Sequence, residues 1–310
     1  MNILVTGGAG FIGSQIAEAY LKQGFKVVVV DDLSSGKREQ VPAGAEFYPM
    51  NILDPEIEGL FSRHKIQAVN HHAAQISVNR SVADPMFDAN SNIIGALHLL
   101  KISVKSKVEK FVFASTGGAI YGNQLQYPAD ESHRCEPCSP YGIAKHSVEH
   151  YLRFFNETHG LHTVALRYSN VFGPRQDPHG EAGVVAIFCK RLLNDQPLLV
   201  YGDGEQTRDF VFVKDIVRAN QIALQEDCSG IFNVGTGIET TVNHIARSLV
   251  QLAGKSVEIE HASARPGEQS RSCIDPGLFS SQFDWRPSVN LEDGLFETYD
   301  YFKQTANANR

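Results

Sequence analysis

Tyr141 and Lys145 stand four residues apart in Ser139-Pro140-Tyr141-Gly142-Ile143-Ala144-Lys145, where Pro140 opens a helical pattern. On a helix, positions i and i+4 share a face, so the phenol and the ammonium can address one ligand. A tyrosine titrates at about pH 10 and is a poor base at neutrality. A neighbouring ammonium, together with the positively charged ring of a bound hydride acceptor, is expected to stabilise the phenolate and lower that value. Such a pair suits the removal and return of a hydroxyl proton. Taken alone, a pair at this spacing is usually an ordinary helix face. It gains chemical meaning only beside a group that can take a hydride from the same carbon.

The N-terminus offers a seat for one. Directly after an apolar run, Thr6-Gly7-Gly8-Ala9-Gly10-Phe11-Ile12-Gly13 spaces its glycines as a dinucleotide-binding turn does. Gly7 permits the tight turn, Gly10 lets the backbone approach a pyrophosphate, and Gly13 lets helix and strand pack closely. The helix that begins there presents free N–H groups and its positive end to phosphates. A glycine-rich turn can be only a turn. Strand before, helix after and Asp31 closing Val27-Val28-Val29-Val30-Asp31 make the combination specific. A carboxylate about 20 residues past the glycines bonds the adenosine ribose hydroxyls and repels a 2′-phosphate, so NAD is expected rather than NADP. Two readings compete: Lys37 and Arg38 are of the kind that favour the phosphate, and Asp31 could simply open a solvated loop.

The elements that must position these residues follow from the apolar pattern. Strands are expected at Ile3–Thr6, Lys26–Asp31, Glu46–Pro49, Ala68–His71, Lys110–Ala114 and Thr163–Arg167, with helices near Phe11–Lys22, Pro55–Arg63, Phe87–Lys105 and Pro140–Thr158. Near-continuous apolar strands alternating with helices predict an α/β fold, a doubly wound parallel sheet of Rossmann type. The second half predicts helices at Ala182–Asn194, Val213–Gln225, Val242–Ala253 and Leu291–Phe302, with a strand near Ile231–Val234 rejoining the first sheet. The expected division is a dinucleotide-binding domain over 1–170, to which 210–236 returns, and a smaller, discontinuous α/β lobe over 171–209 and 237–310. That lobe is expected to close over the sheet's C-terminal edge, where ligands of open α/β sheets bind.

Composition narrows the classes. The 310 residues are 42% hydrophobic and 20% charged, enough to bury a sizeable core. A net charge of -7 argues against a sequence-independent grip on nucleic acid. No basic and apolar leader opens the chain, and no run of about 18 apolar residues occurs, so neither a cleaved signal nor a membrane span is expected. Five scattered cysteines, Cys135, Cys138, Cys189, Cys228 and Cys273, suit a reducing cytoplasm better than a disulfide framework.

Taken together, these residues identify the chain as resembling the extended short-chain dehydrogenase/reductases, and among them the UDP-glucose 4-epimerases. The resemblance is carried by Thr6–Gly13, Asp31, His72-Ala73-Ala74-Gln75, Asn92, Ser115-Thr116, the Tyr141/Lys145 pair and Arg167-Tyr168-Ser169-Asn170-Val171-Phe172-Gly173-Pro174. Gly202-Asp203-Gly204-Glu205-Gln206-Thr207-Arg208-Asp209-Phe210 and Arg265-Pro266-Gly267-Glu268 extend it over nearly the whole chain.

The resemblance implies C4 epimerisation of a UDP-hexose through a 4-keto sugar, with tightly bound NAD regenerated in each cycle. Tyr141 would be the acid and base, Thr116 the helping hydroxyl and Lys145 the holder of the nicotinamide ribose. Gly7, Gly10, Phe11, Ile12, Asp31, Asn51, Ile52, Ala73, Ala74, Gln75, Asn92, Tyr168 and the Tyr141/Lys145 pair would contact NAD. Thr116, Tyr141, Asn170, Val184, Arg208, Arg265, Glu268 and Ser272 would contact the UDP-sugar, the arginines and Asn170 at the diphosphate and Glu268 at ribose hydroxyls. Ser272, small where some epimerases carry a bulky residue, would admit N-acetylated hexoses as well. The segment Ser115–Gly122 is one residue longer than the commonest family loop, which leaves Ser115 as the alternative to Thr116. The helices near 87–105 and 140–158 would pair across a two-fold axis as a homodimer contact, although burial within one chain explains their apolar faces too.

Other readings are weighed against this one. A dehydratase or decarboxylase would place acids where Gly117 and Gly118 stand. A UDP-glucuronate 4-epimerase stays open as the alternative. A non-catalytic NAD-binding protein on the same fold would have little need for Thr116, Tyr141 and Lys145 together. Cys135 and Cys138, with His133 nearby, lack the second ligand pair of a structural zinc site and are read as a loop. His71 and His72 are read as structural, and no metal is expected.

Overall fold

The structure, a computed structural model, describes residues 1–179, 183–225, 229–264 and 269–308. In chain order the strands are β1 (Asn2–Thr6), β2 (Lys26–Val30), β3 (Glu46–Tyr48), β4 (Ala68–His71), β5 (Lys110–Thr116), β6 (His162–Tyr168), β7 (Asn170–Phe172), β8 (Leu198–Tyr201), β9 (Thr207–Phe212), β10 (Gly230–Val234), β11 (Glu239–Thr241), β12 (Ile259–Ala262) and β13 (Arg271–Ser272). The helices are α1 (Phe11–Lys22), α2 (Ile57–His64), α3 (Val78–Ala83), α4 (Pro85–Ala89), α5 (Gly95–Lys105), α6 (Gly117–Ile120), α7 (Pro140–His159), α8 (Val184–Leu193), α9 (Val213–Gln225), α10 (Val242–Ala253), α11 (Gly277–Phe283) and α12 (Leu291–Ala308).

Seven parallel strands form the main sheet in the order β10-β6-β5-β4-β1-β2-β3. This is the expected doubly wound α/β architecture, with the order reversing at β1. Alternate side chains of one strand enter different cores: Ile3 and Val5 of β1 join the Val27 and Val29 side, while Leu4 joins Val28 and Val30 on the other. Both faces are covered, so each of these valines contributes about 2 kcal/mol by leaving water. That is why β1 and β2 read as continuous apolar runs.

A separate four-stranded sheet sets β9 between β11 and β13, with β7 pairing β9 as well. Strands β8 and β12 form a small parallel ladder. Phe172, Phe188, Leu192, Phe212, Ile245, Leu249 and Leu295 fill the core there. The helical segment expected over Phe87–Lys105 is built as α4, a single π turn over Asn90–Ile94 and then α5. Among the described residues no helix is long and apolar enough to cross a membrane.

Candidate active site

Strand β1 ends at Thr6, whose Oγ1 lies 2.7 Å from His71 Nδ1 and accepts from the Ala73 amide at 3.3 Å. Gly7 follows with φ +69, and an added Cβ would lie 2.6 Å from the Ala73 nitrogen. Conformation and space both require glycine. A Cβ at Gly13 would strike the Gly7 carbonyl oxygen, so α1 packs hard on the turn. At Gly10 the same atom would meet, within 4 Å, only the Gly7 carbonyl oxygen at 3.2 Å. That side of the backbone is open. No side chain among the described residues caps α1, and no acid lies in its first turn. The leading amides of the helix, those of Phe11 and Ile12 among them, are therefore available to an anion. An open glycine beside an uncapped helix end fits the pyrophosphate of a dinucleotide.

Asp31 is buried, with Oδ2 accepting from the Ala9 amide and Oδ1 from the Leu33 amide, both at 2.9 Å. Burial raises its carboxyl, and these two amides oppose the rise. A carboxylate has about four acceptor positions, so capacity for ribose hydroxyls remains. Asp31 thus also fastens the glycine turn. Beside it, Asn51 Nδ2 donates to Asp32 Oδ2 at 2.8 Å, and the Ile52 carbonyl lies 2.8 Å from His98 Nδ1.

Helix α7 begins at Pro140, with the Ser139 hydroxyl accepting from the Gly142 amide as its cap. Its first turns carry Tyr141 and Lys145 toward the C-terminal end of β5. Lys145 is buried; its Nζ donates to the Ala114 carbonyl at 2.9 Å and lies 4.6 Å from the Phe113 ring centroid and 5.9 Å from that of Tyr141. The Thr116 hydroxyl sits beside the Tyr141 phenol, close enough to act on it. Ser115, one residue earlier and on the opposite side of β5, donates instead to Glu149 Oε1 at 2.6 Å. The longer loop is absorbed by one helical turn, α6.

The protein's own groups set the electrostatics of the pair. The phenol of Tyr141 is not lowered but pushed up to about 12: burial dominates, the Asp88 carboxylate adds to it, and Thr116 opposes both only in part. Burial pushes Lys145 down to about 8, resisted by Asp88 and Glu149. The ammonium alone does not offset the desolvation of the phenol. Lowering it waits on a further positive charge in the site.

Around the pair run two polar networks. The first belongs to the loop after β4, where Ala73, Ala74 and Gln75 are half-buried. Asn92 on the π turn clasps Gln75 through both backbone groups, at 2.9 and 3.0 Å. Gln75 and Asn92 both donate to Asp88 Oδ1. Asp88 escaped the sequence reading, although its i, i+4 spacing from Asn92 places both on one helix face. The second network lies beneath the glycine turn. Tyr168 OH accepts from Asn220 at 2.8 Å and stands 3.1 Å from His72 Nε2, and Asn220 continues to Asn70 and Tyr20. Burial and Lys145 bring His72 to about 3, so its ring is neutral.

On the lobe side, Asn170 opens β7, its Oδ1 3.8 Å from where a Gly118 Cβ would sit; Thr116 Oγ1 is 3.9 Å from the same point. Arg208 on β9 donates to the Thr207 carbonyl and stands in register with the buried Ser272 of β13. Val184 is the half-buried first residue of α8. Arg265 and Glu268 lie outside the described residues, as do Ala182 and Cys228. Among the described residues no group of three His, Cys, Asp or Glu side chains could hold a metal ion.

Comparison with known proteins agrees with this geometry. The sequence profile of the NAD dependent epimerase/dehydratase family matches residues 3–235. A UDP-glucose 4-epimerase of Mycolicibacterium smegmatis is 40% identical over 309 residues, covering 98% of this chain and 99% of the relative. The structure of a UDP-glucose 4-epimerase from Thermotoga maritima with UDP-glucose superposes with a TM-score of 0.97 at 48% identity, covering 99% of this chain and all of that one. The Thermus thermophilus enzyme of the same name, in complex with NAD, gives 0.93 at 45% identity over 98% of this chain and 99% of its own. The chain belongs to the NAD dependent epimerase/dehydratase family, within the extended short-chain dehydrogenase/reductases.

Proposed function

We propose that the chain interconverts UDP-glucose and UDP-galactose at C4 through a transient 4-keto sugar, with NAD bound tightly and restored in each cycle. The observation that carries this reading is the Thr116 hydroxyl beside the Tyr141 phenol, next to Lys145 and to two glycines instead of carboxylates. When bound, NAD takes a hydride from C4 and gives one back there. Tyr141 takes the proton of the C4 hydroxyl and returns it to the keto oxygen, while Thr116 bonds the same oxygen. Lys145 holds the nicotinamide ribose and keeps positive charge beside the phenol. The high-lying phenol becomes a usable base only with the cofactor's positive ring in place. With no acid at Gly117 or Gly118, elimination and decarboxylation lack their proton carrier.

The nucleotide must be held firmly and the hexose loosely, so that the keto sugar can show both faces. Asn170, Arg208 and Arg265 suit the diphosphate through charge-assisted bonds, Glu268 the uridine ribose, and Val184 and Ser272 the walls. Gly7, Gly10, Phe11, Ile12, Asp31, Asn51, Ile52, Ala73, Ala74, Gln75, Asn92 and Tyr168 form the NAD seat. We take 1–170 with 210–236 as the NAD-binding domain and 171–209 with 237–310 as the sugar-nucleotide lobe. The pairing of β10 with β6 supports the return, while residues 210–212 pair with β7 in the second sheet. The named activity of the Mycolicibacterium and Thermotoga relatives supports the choice of sugar.

Incubating the purified protein with UDP-galactose and no added NAD tests the reading. UDP-glucose is expected to appear; its absence while NAD is demonstrably bound would overturn it. Turnover of UDP-glucuronate alone would favour the uronate epimerase. UDP-N-acetylglucosamine is expected to react as well, and Ser272→Tyr to abolish that reaction selectively; no reaction with the acetylated sugar in the parent protein refutes the pocket assignment.

The chain is further proposed to act as a cytoplasmic homodimer. Ile143, Tyr151 and Phe154 are exposed along one side of α7, with Ile94 exposed on the neighbouring segment, an apolar ridge suited to a second copy. Light scattering should give twice the chain mass; a monomer at micromolar concentration refutes it. The described cysteines Cys135, Cys138, Cys189 and Cys273 are free thiols, which supports a reducing compartment.

A further inference from the structure

Asp88 has no part in the chemistry described so far, yet it is a buried acid on a helix packed against α7. Its residue is 1% exposed. Oδ1 accepts from Gln75 Nε2 at 2.9 Å and from Asn92 Nδ2 at 3.0 Å, while Oδ2 is buried with no hydrogen-bond partner among the described residues. Half of a carboxylate left without a partner in a buried place is costly, and such an exception points to a role. Its helix packs against α7, which carries Tyr141 and Lys145, and runs straight into the π turn. Irregular turns of this kind gather at functional sites.

The charged and titratable groups on the neighbouring elements can be enumerated. Helix α7 supplies Tyr141, Lys145 and Glu149, the last spent on Arg167 at 2.7 Å. The end of β4 supplies His71 and His72, both lowered by burial and by Lys145 and so neutral. Helix α3 supplies Arg80, whose guanidinium lies 4.1 Å from the Phe87 ring centroid. Asp84 caps the start of α4 by accepting from the Phe87 amide. Asp88 acts electrostatically on both members of the pair, raising each. It is the available negative charge for Lys145.

We propose that Asp88 is the positioning residue of the Tyr141–Lys145 pair: it keeps Lys145 an ammonium in its buried place and, through Gln75 and Asn92, locks the NAD-contacting loop to the same charge. Oδ2, buried and without a partner of its own among the described residues, leaves that carboxylate's charge uncommitted to any cation by contact. This inference rests on the epimerase reading above and adds a positioning carboxylate to it.

A structural role and a charge role separate by sign. Asp88→Asn keeps size and Oδ1 but removes one negative charge. Lys145 then loses its proton at lower pH, and the phenol ionises at lower pH. In the profile of kcat against pH, the acid limb that reports the phenol and the alkaline limb that reports the ammonium should both move downward, by about one unit or more. Asp88→Glu should leave both limbs near their parental positions, and NAD content should stay unchanged. A lower plateau with unmoved limbs, or an unchanged profile, overturns the proposal. If Asp88→Asn does not fold, Asp88→Ser is measured in the same way on the NAD-saturated protein, and both limbs should again move downward. If the parent protein turns over no UDP-galactose, the epimerase reading fails, and Lys145 is followed instead by the pH dependence of its acetylation by acetic anhydride in the NAD-loaded protein. There Asp88→Asn must still shift the titration downward, and an unmoved titration overturns the proposal.

Discussion

Replacing Tyr141 by phenylalanine is expected to cut turnover of UDP-galactose by about 10²–10⁴-fold while NAD stays bound. The substitution removes one oxygen. The ring keeps its place on the first turn of α7, and the seat built by Gly7, Gly10, Asp31 and Asn92 is untouched. What is lost is the atom that the Thr116 hydroxyl stands beside and that must carry the C4 proton. The Lys145 ammonium remains, with its hydrogen bond to the Ala114 carbonyl. It cannot substitute, because it has no lone pair while charged. Initial rates of UDP-glucose formation, with NAD content measured on the same preparation, check this. Unchanged turnover would remove Tyr141 from the mechanism.

Replacing Arg167 by methionine is expected to destabilise the fold by about 3–5 kcal/mol, an apparent loss of about 10 °C in Tm. Glu149 is 2% exposed and receives Arg167 Nε at 2.9 Å, Arg167 Nη2 at 2.7 Å and the Ser115 hydroxyl at 2.6 Å. Arg167 also donates to Tyr121 OH, which in turn donates to Asn233. The cluster joins α7, β5, β6 and β10 behind the catalytic face. Burial works to raise the Glu149 carboxyl, but hydrogen bonds from Arg167, His146 and Ser115 outweigh it and hold it below the ordinary range. Its contribution to stability is therefore fully present above the ordinary carboxylate pKa and is lost as pH falls through the depressed folded-state value. In the variant the sign reverses. Without its partner the buried carboxyl is raised, so the deficit relative to the parent should shrink as pH is lowered. Adding Glu149→Gln should restore part of the loss, because no unpaired charge is then buried. Denaturation curves of the three proteins at two pH values decide the matter; a single-variant loss below about 1 kcal/mol would show that the pair is dispensable.

Much of this architecture was legible because both faces of the main sheet are covered. Runs such as Val27–Val30 have no polar position to obscure them, and Ile231–Val234 of β10 carries a similar signal broken only by Asn233. Strands β7, β11 and β13 carry only two or three residues each, too few for a period to emerge. Helix and pair at 140–145 were readable from a cap, a proline and a spacing. The desolvation of the Tyr141 phenol was not, because spacing reveals a shared face but not how much water the fold removes from it. Asp88 stayed hidden for a related reason: one acid in a helical segment is usually solvated. Only the fold turns it inward, against Gln75 and Asn92. Ser115 and Thr116 are indistinguishable as residue types; strand alternation sends one to Glu149 and the other to the phenol.

The most direct measurement follows a deuterium atom placed at C4 of UDP-galactose through turnover in ordinary water. If Tyr141 carries only the hydroxyl proton and the carbon-bound hydrogen passes to seated NAD and back, the UDP-glucose formed will keep the deuterium at C4. Deuterium lost to water would contradict the account, because the carbon-bound hydrogen would then have left as an exchangeable proton.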